Sequence, residues 1–154
     1  MTKETKEQSK EYYGRAYIAL TPLDGFLMCQ HDERMDLKEM QDLVGGYIEI
    51  APAMIPSHWA GETGVTIRMI VNAEGKLHGL DWNPKATMLC GYLAGYIAGN
   101  ALIVGDKHGK LRALKRSAAE EIMRVFHLEY EEIKESGMTM KEVFKKAEGE
   151  GAEA

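Results

Sequence analysis

The stretch VTIRMIVNAEGKLHGLDW, from Val65 to Trp82, decides the fold class. A β-branched run leads into a short polar turn ending at Gly75, and a second apolar segment follows, which is the pattern of a β-hairpin. Nearly all of its polar residues have structural uses, a ligand role being the lesser option. Asn72, Glu74 and Gly75 suit a turn. Asn83 followed by Pro84 suits a helix start, because the cap side chain accepts an orphan N–H and proline presets φ.

Working outward, the same patterns recur. RAYIALTP from Arg15 predicts a strand, LDG a turn and FLMCQHD the return strand, so an N-terminal hairpin is expected to add to the sheet edge. In DLKEMQDLVGG, Leu37, Met40 and Val44 stand at helical spacing, Asp36 precedes Glu39 by three residues, and Gly45 and Gly46 close the segment. YIEIAPA then reads as a strand ended by Pro52. MIPSHWAGETG has loop composition, with Trp59 either packing or awaiting a ligand. Downstream, ALIVG predicts a short apolar strand and KHGKLRAL a basic hairpin. SAAEEIMRVFHLEYEEIKES predicts a long helix capped by Ser117 with Glu120, its apolar stripe formed by Ile122, Val125, Phe126 and Ile133. Thr139 and Glu142 repeat the capping pattern for a shorter helix. The expectation is an α+β domain spanning 14–147, with a mainly antiparallel sheet covered by helices on one face, between a disordered arm at 1–13 and a disordered tail at 148–154.

Composition sets outer bounds. The chain has 154 residues, 45% of them hydrophobic and 28% charged, with a formal net charge of -5. That is globular composition with no apolar run long enough to span a bilayer, and the polar MTKETKEQSKEYYG at the N-terminus lacks the apolar segment of a secretory signal, so no membrane and a place in the cytosol are expected. The negative charge works against general binding to nucleic acid. Cys29 and Cys90 lack CxxC spacing and read as two buried free thiols.

Three blocks carry a family resemblance: QDLVGGYIEI, NAEGKLHGLDWN and GNALIVG. Their order and separations resemble an uncharacterised family of small proteins carried by bacteriophages, plasmids and Firmicutes. Its pattern falls here on Gln41, Val44, Gly45, Gly46, Tyr47 and Glu49, then Asn72, Glu74, Gly75 and Lys76, then Asn83, over roughly Asp36 to Gly105. Ala73 departs from it, standing where the family carries its first turn glutamate. The resemblance implies a mobile-element origin and an accessory role, and it implies no reaction. The motif positions are expected to be structural.

Catalytic signatures are missing from the sequence: it contains no HExxH, P-loop, GxSxG or strand-to-helix GxGxxG. His31, His58, His78, His108 and His127 are scattered. No catalytic residue, metal or cofactor is therefore expected. The positive feature is KHGKLRALKRS, which brings Lys107, Lys110, Arg112, Lys115 and Arg116 to a helix start, where free N–H groups and the dipole favour an anion. Tyr47, Trp59 and Trp82 are available to stack a base. The function expected is non-enzymatic sequestration of a small phosphorylated ligand, such as a signalling nucleotide, by a phage or mobile-element counter-defence protein. Two alternatives stand beside it: an inhibitor binding a host defence protein directly, and a nucleotide-acting hydrolase or transferase using Glu49, Glu74, Asp81 or His78. The acidic C-terminal helix, with Phe126, Tyr130 and Ile133, is expected to pack on its own domain, a homodimer being the next option.

Overall fold

The structure is a computed structural model that describes residues 14–23, 25–91, 95–136 and 140–153, without the side chains of 127–136, 141 and 149–153. The arm at 1–13, the Thr139 cap and the side chains of Tyr130 and Ile133 lie outside the described residues. Strand β5 (Ala101–Lys107) runs through the middle of a seven-stranded sheet, and its first five residues are buried. It pairs with β4 (Val65–Asn72) on one side and β1 (Arg15–Thr21) on the other. Beyond β1 lies β2 (Gly25–Gln30), and beyond β4 lies β3 (Ile48–Pro52), giving the order β2-β1-β5-β4-β3 with every pairing antiparallel. Short strands β6 (Lys110–Arg112) and β7 (Leu114–Lys115) add to β5 and β1. The N-terminal hairpin forms as expected, but β1 is an interior strand and only β2 lies at the edge.

The two-residue period of the strands divides the core. Ile18, Leu20, Ile67, Met69 and Ile103 face the larger layer, built from α3 (Arg116–Ser136) and α4 (Met140–Glu153), where they meet Ile122, Val125, Phe126, Val143 and Phe144. Phe26 closes on Phe126 edge-on, with centroids 4.7 Å apart. Tyr17, Ile70, Leu102 and Val104 face the other way and are covered by Met40 and Val44 of α1 (Leu37–Val44). Cover is thus two-sided, with the larger helical layer on one face and a smaller one on the other. Each buried large apolar side chain contributes about 1.5–3 kcal/mol, so this double burial of β5 is the main favourable term. Leu37, expected in the apolar stripe of α1, is 54% exposed. Helix α4 runs on to Glu153, through most of the segment expected as a tail.

One correction concerns the opening stretch. β4 forms, but its partners are β3 and β5, so no edge remains for the segment from Lys76 to Trp82. That segment coils instead: Glu74 N–H donates to the Asn72 side chain at 2.8 Å, His78 to the Glu74 carbonyl at 3.0 Å and Leu80 to the Gly75 carbonyl at 2.9 Å. Only an isolated bridge from Trp82 to Ala98 survives of the expected second strand. The predicted helix start does form: α2 (Pro84–Leu89) has Asn83 as its cap, accepting from Ala86 N–H at 3.1 Å. By contrast, the Asp36 side chain makes no cap bond at α1, and the side chain of its capping-box partner Glu39 is bonded to His31 at 2.7 Å instead. Helix α3 begins at Arg116, one residue before the expected Ser117 cap. Cys29 is half-buried rather than buried, and both thiols are free.

A side chain at position 75 has nowhere to go, since a Cβ there would stand 2.4 Å from the Ala98 carbonyl oxygen. Gly75→Val should therefore lower the urea midpoint strongly. Asn72→Ala should cost about 1–3 kcal/mol by leaving its buried partners unpaired, read from the same urea curves.

Candidate functional site

The basic run is dispersed by the sheet. Lys107 and Lys110 face one another at the exposed β5–β6 turn, where His108 and Gly109 take φ of 53° and 86°. Arg116 donates to Glu120 at 2.9 Å, along its own helix. Arg112 turns inward, with a side chain only 14% exposed, and contacts Glu33 at 2.6 Å and Glu62 at 3.3 Å. Its Nε is buried with no hydrogen-bond partner. Lys115 reaches the Gly61 carbonyl at 3.0 Å.

Two cations absent from the expected set enter this region. Arg15, at the start of β1, forms a two-pronged pair with Glu62, at 2.9 and 2.6 Å, and also donates to the Ala113 carbonyl. Arg34 carries no ion pair among the described residues. Arg15, Arg34 and Lys115 line one cavity of about 600 Å3, together with Asp32, Glu33, Gly14 and Ser117 of the first turn of α3. Of the expected ligand set only Lys115 lines it, while Arg112 touches it through Glu33. Tyr47, Trp59 and Trp82 do not line it.

The three aromatics have other surroundings. Trp59 packs edge-on against Phe144, with centroids 4.9 Å apart, and donates to Glu148 at 2.7 Å. Trp82 is 57% exposed and its ring N–H donates to the Thr87 hydroxyl. Tyr47 is 71% exposed and lines a separate cavity with Gln41, Gly45, Gly46, Asn72 and Glu74.

The motif positions converge at that end of the sheet and interlock. The Gln41 carbonyl accepts from the N–H groups of both Gly45 and Gly46, closing α1, with Gly45 at φ 84°. Asn72 donates to the Val44 carbonyl at 3.0 Å, and a Cβ on Gly46 would lie 3.1 Å from its amide nitrogen. Lys76 sits over the Tyr96 ring. Asn83 is wholly buried and donates to the carbonyls of Leu20 and Gly99, both at 2.9 Å. Among the acid–base candidates, Glu74 and His78 touch, at 3.0 Å, on the exposed surface; Glu49 and Asp81 are exposed and unpaired among the described residues.

An antiparallel sheet sandwiched between unequal helical layers, with a salt-bridged cation cluster at one place and a hydrogen-bonded motif knot at another, defines a mixed α+β protein. The chain belongs to the family described as Domain of unknown function (DUF3846), whose model matches residues 26–127, from β2 into α3. That span is wider than the one suggested by the motif blocks. Comparisons with curated proteins and with solved structures found no match. No helix among the described residues is long and apolar enough to cross a membrane, and no cluster of three or more metal-ligating side chains occurs among them.

Two groups here give opposite pH signatures. The bond from Arg15 holds the Glu62 carboxyl below its ordinary value, against an opposing effect of burial. Its contribution to stability is present above pH 4.5 and is lost as pH falls through the lowered folded value. Burial pulls the His31 pKa down, but the Asp32 carbonyl and Glu39, bound at the two ring nitrogens, raise it above 6.5 on balance. Only the imidazolium donates at both nitrogens, so its contribution is full below pH 6.5 and fades as pH rises through the raised folded value. Acid unfolding of Glu62→Gln should lose the first signature, and an NMR titration should find the His31 midpoint above that of an exposed histidine.

Proposed function

We propose that this protein binds a small phosphorylated ligand without transforming it, and that the cavity at the start of α3 receives the phosphate. One observation carries the reading: three cations, Arg15, Arg34 and Lys115, converge with the first turn of a 21-residue helix on a single space large enough for a nucleotide-sized group. Cations and helix-start N–H groups are the two standard means of holding phosphate, and neither Arg34 nor Lys115 has a carboxylate salt bridge to give up among the described residues. Glu33 and Asp32 oppose anion entry, so binding has to displace Glu33 toward solvent and free Arg112 to join. Sequestration in counter-defence for a phage or other mobile element is the biological role we attach to this binding, on the strength of the motif resemblance.

The experiment is native mass spectrometry of the full chain with a panel of mono-, di- and cyclic nucleotides. An intact ligand should appear as an adduct and be released unchanged on denaturation. Lys115→Ala and Arg34→Ala should each weaken binding roughly tenfold, the scale of one charge-assisted hydrogen bond. Glu33→Gln should tighten it, and Arg116→Ala, paired along its own helix, should change little. An empty protein across the panel, or affinity indifferent to both cation substitutions, would overturn this assignment.

A further inference from the structure

The motif end of the sheet presents a second surface. Strand β3 is the last in the order, so one side of it faces no other strand among the described residues. The ladder sets which groups face out. Ala73 N–H donates to the Tyr47 carbonyl at 2.8 Å, which makes 47 and 73 a bonded pair. Bonded and non-bonded pairs alternate along an antiparallel ladder, and the register Glu49↔Val71, Ala51↔Met69 continues the bonded set. Ile48 and Ile50 therefore turn their N–H and C=O groups away from β4. Beside this edge lies a cavity of about 480 Å3 whose lining includes Glu49, Ile50, Leu77 and Tyr96. Ile50, Leu77 and Tyr96 are 51%, 78% and 49% exposed.

We propose that β3 is a docking edge for an extended segment of another protein, which adds to the sheet as an antiparallel strand and sets a lysine or arginine opposite Glu49. An unpaired strand edge beside apolar side chains fits an extended chain, because the main chain supplies the hydrogen bonds and alternate side chains the selectivity. Charge chooses the occupant. Glu49 is exposed with no ion pair among the described residues and Glu74 adds a second carboxylate to the cavity lining, while the one lysine there, Lys76, has its ammonium seated on the Tyr96 ring, so this edge favours a cationic guest. A second copy is disfavoured by the same residue. Registers centred on Ile50 or on Ile48 lose ladder bonds, because Pro52 has no N–H and the Gly46 N–H is already given to the Gln41 carbonyl, so two copies of β3 pair best with Ile48 opposite Ile50 across a two-fold axis, and that register sets Glu49 directly against its own counterpart. The pair would be a non-bonded one, where side chains lie closest, and like charges there are destabilising. A heterologous strand with a cation at that point turns the repulsion into attraction. The lysine stem then lies along Leu77 with its ammonium at Glu49.

The test is an NMR titration of the isotope-labelled full chain with two synthetic peptides, blocked at both ends: one alternating valine and lysine over five residues, the other with glutamate in place of lysine. The lysine peptide should shift the Ile48 and Ile50 amides and slow their exchange with solvent, and the glutamate peptide should bind roughly tenfold more weakly, the scale of exchanging an opposite for a like cross-strand pair. Glu49→Lys should invert the preference. Ile50→Pro should abolish binding, since it removes an outward N–H that the native ladder does not use. Equal affinity for the two peptides, shifts away from β3, or protection of Ile48 and Ile50 through self-association alone would each overturn the proposal. Because these readouts lie on β3, failure here is distinguishable from failure of phosphate binding at the start of α3.

Discussion

The buried carboxamide of Asn83 is the constraint on which the motif end of this fold depends. Its nitrogen donates to the end of β1 through Leu20 and to the loop before β5 through Gly99, while its oxygen caps α2. Its own N–H donates to the Ile97 carbonyl at 2.8 Å. The Thr87 hydroxyl extends the knot, donating to the Asn83 carbonyl and accepting from Ile97 N–H and the Trp82 ring. Each of these groups would be costly to bury alone, and here every one finds a partner. The result is that the described residues between β4 and β5 flanking Asn83 and Thr87 are tied by buried hydrogen bonds to β1 and to the loop before β5. Gly75 and Gly46 lie close beside it, at points where a side chain would meet the Ala98 carbonyl or the Asn72 amide.

The cation cluster is held on a different principle. Glu62 stands between Arg15 and Arg112 with its side chain 13% exposed, so the protein accepts the desolvation of charges in return for their mutual pairing. Such a network tolerates exchange of partners better than a buried carboxamide does, because an incoming anion can replace a carboxylate at the same guanidinium. That difference in kind separates the motif end from the end at which we propose that phosphate binds.

Much of the fold is legible in local pattern. The strands at Arg15, Gly25, Val65 and Ala101, the helix closing on Gly45 and Gly46 and the Asn83–Pro84 helix start all follow from period, turn chemistry and caps. What was hidden depends on pairing over distance. The apolar segment after Gly75 looks like a hairpin strand until β3 and β5 occupy both edges of β4, which no window of sequence displays. The KHGKLRALKRS run reads as one basic patch, yet Lys107 and Lys110 stay at the turn while Arg112, on the same face of β6 but opposite Gly105, is held by Glu33 and Glu62. Arg15 meets Glu62 across 47 residues, with β5 standing between β1 and β4 in the sheet, so its part in the proposed site had no local signal. Asn83 was legible as a cap, but its bonds to Leu20 and Gly99 were not.

The central claim is that the motif residues build a structural knot separable from the cation-bearing end. The most direct measurement is hydrogen–deuterium exchange across the full chain of Asn83→Asp, which keeps the side-chain shape and removes the two donated bonds. Protection should fall at the end of β1, in α2 and over 95–101, while β6 and the start of α3 keep theirs. Unchanged protection at the knot, or an equal loss at both ends, would contradict the account.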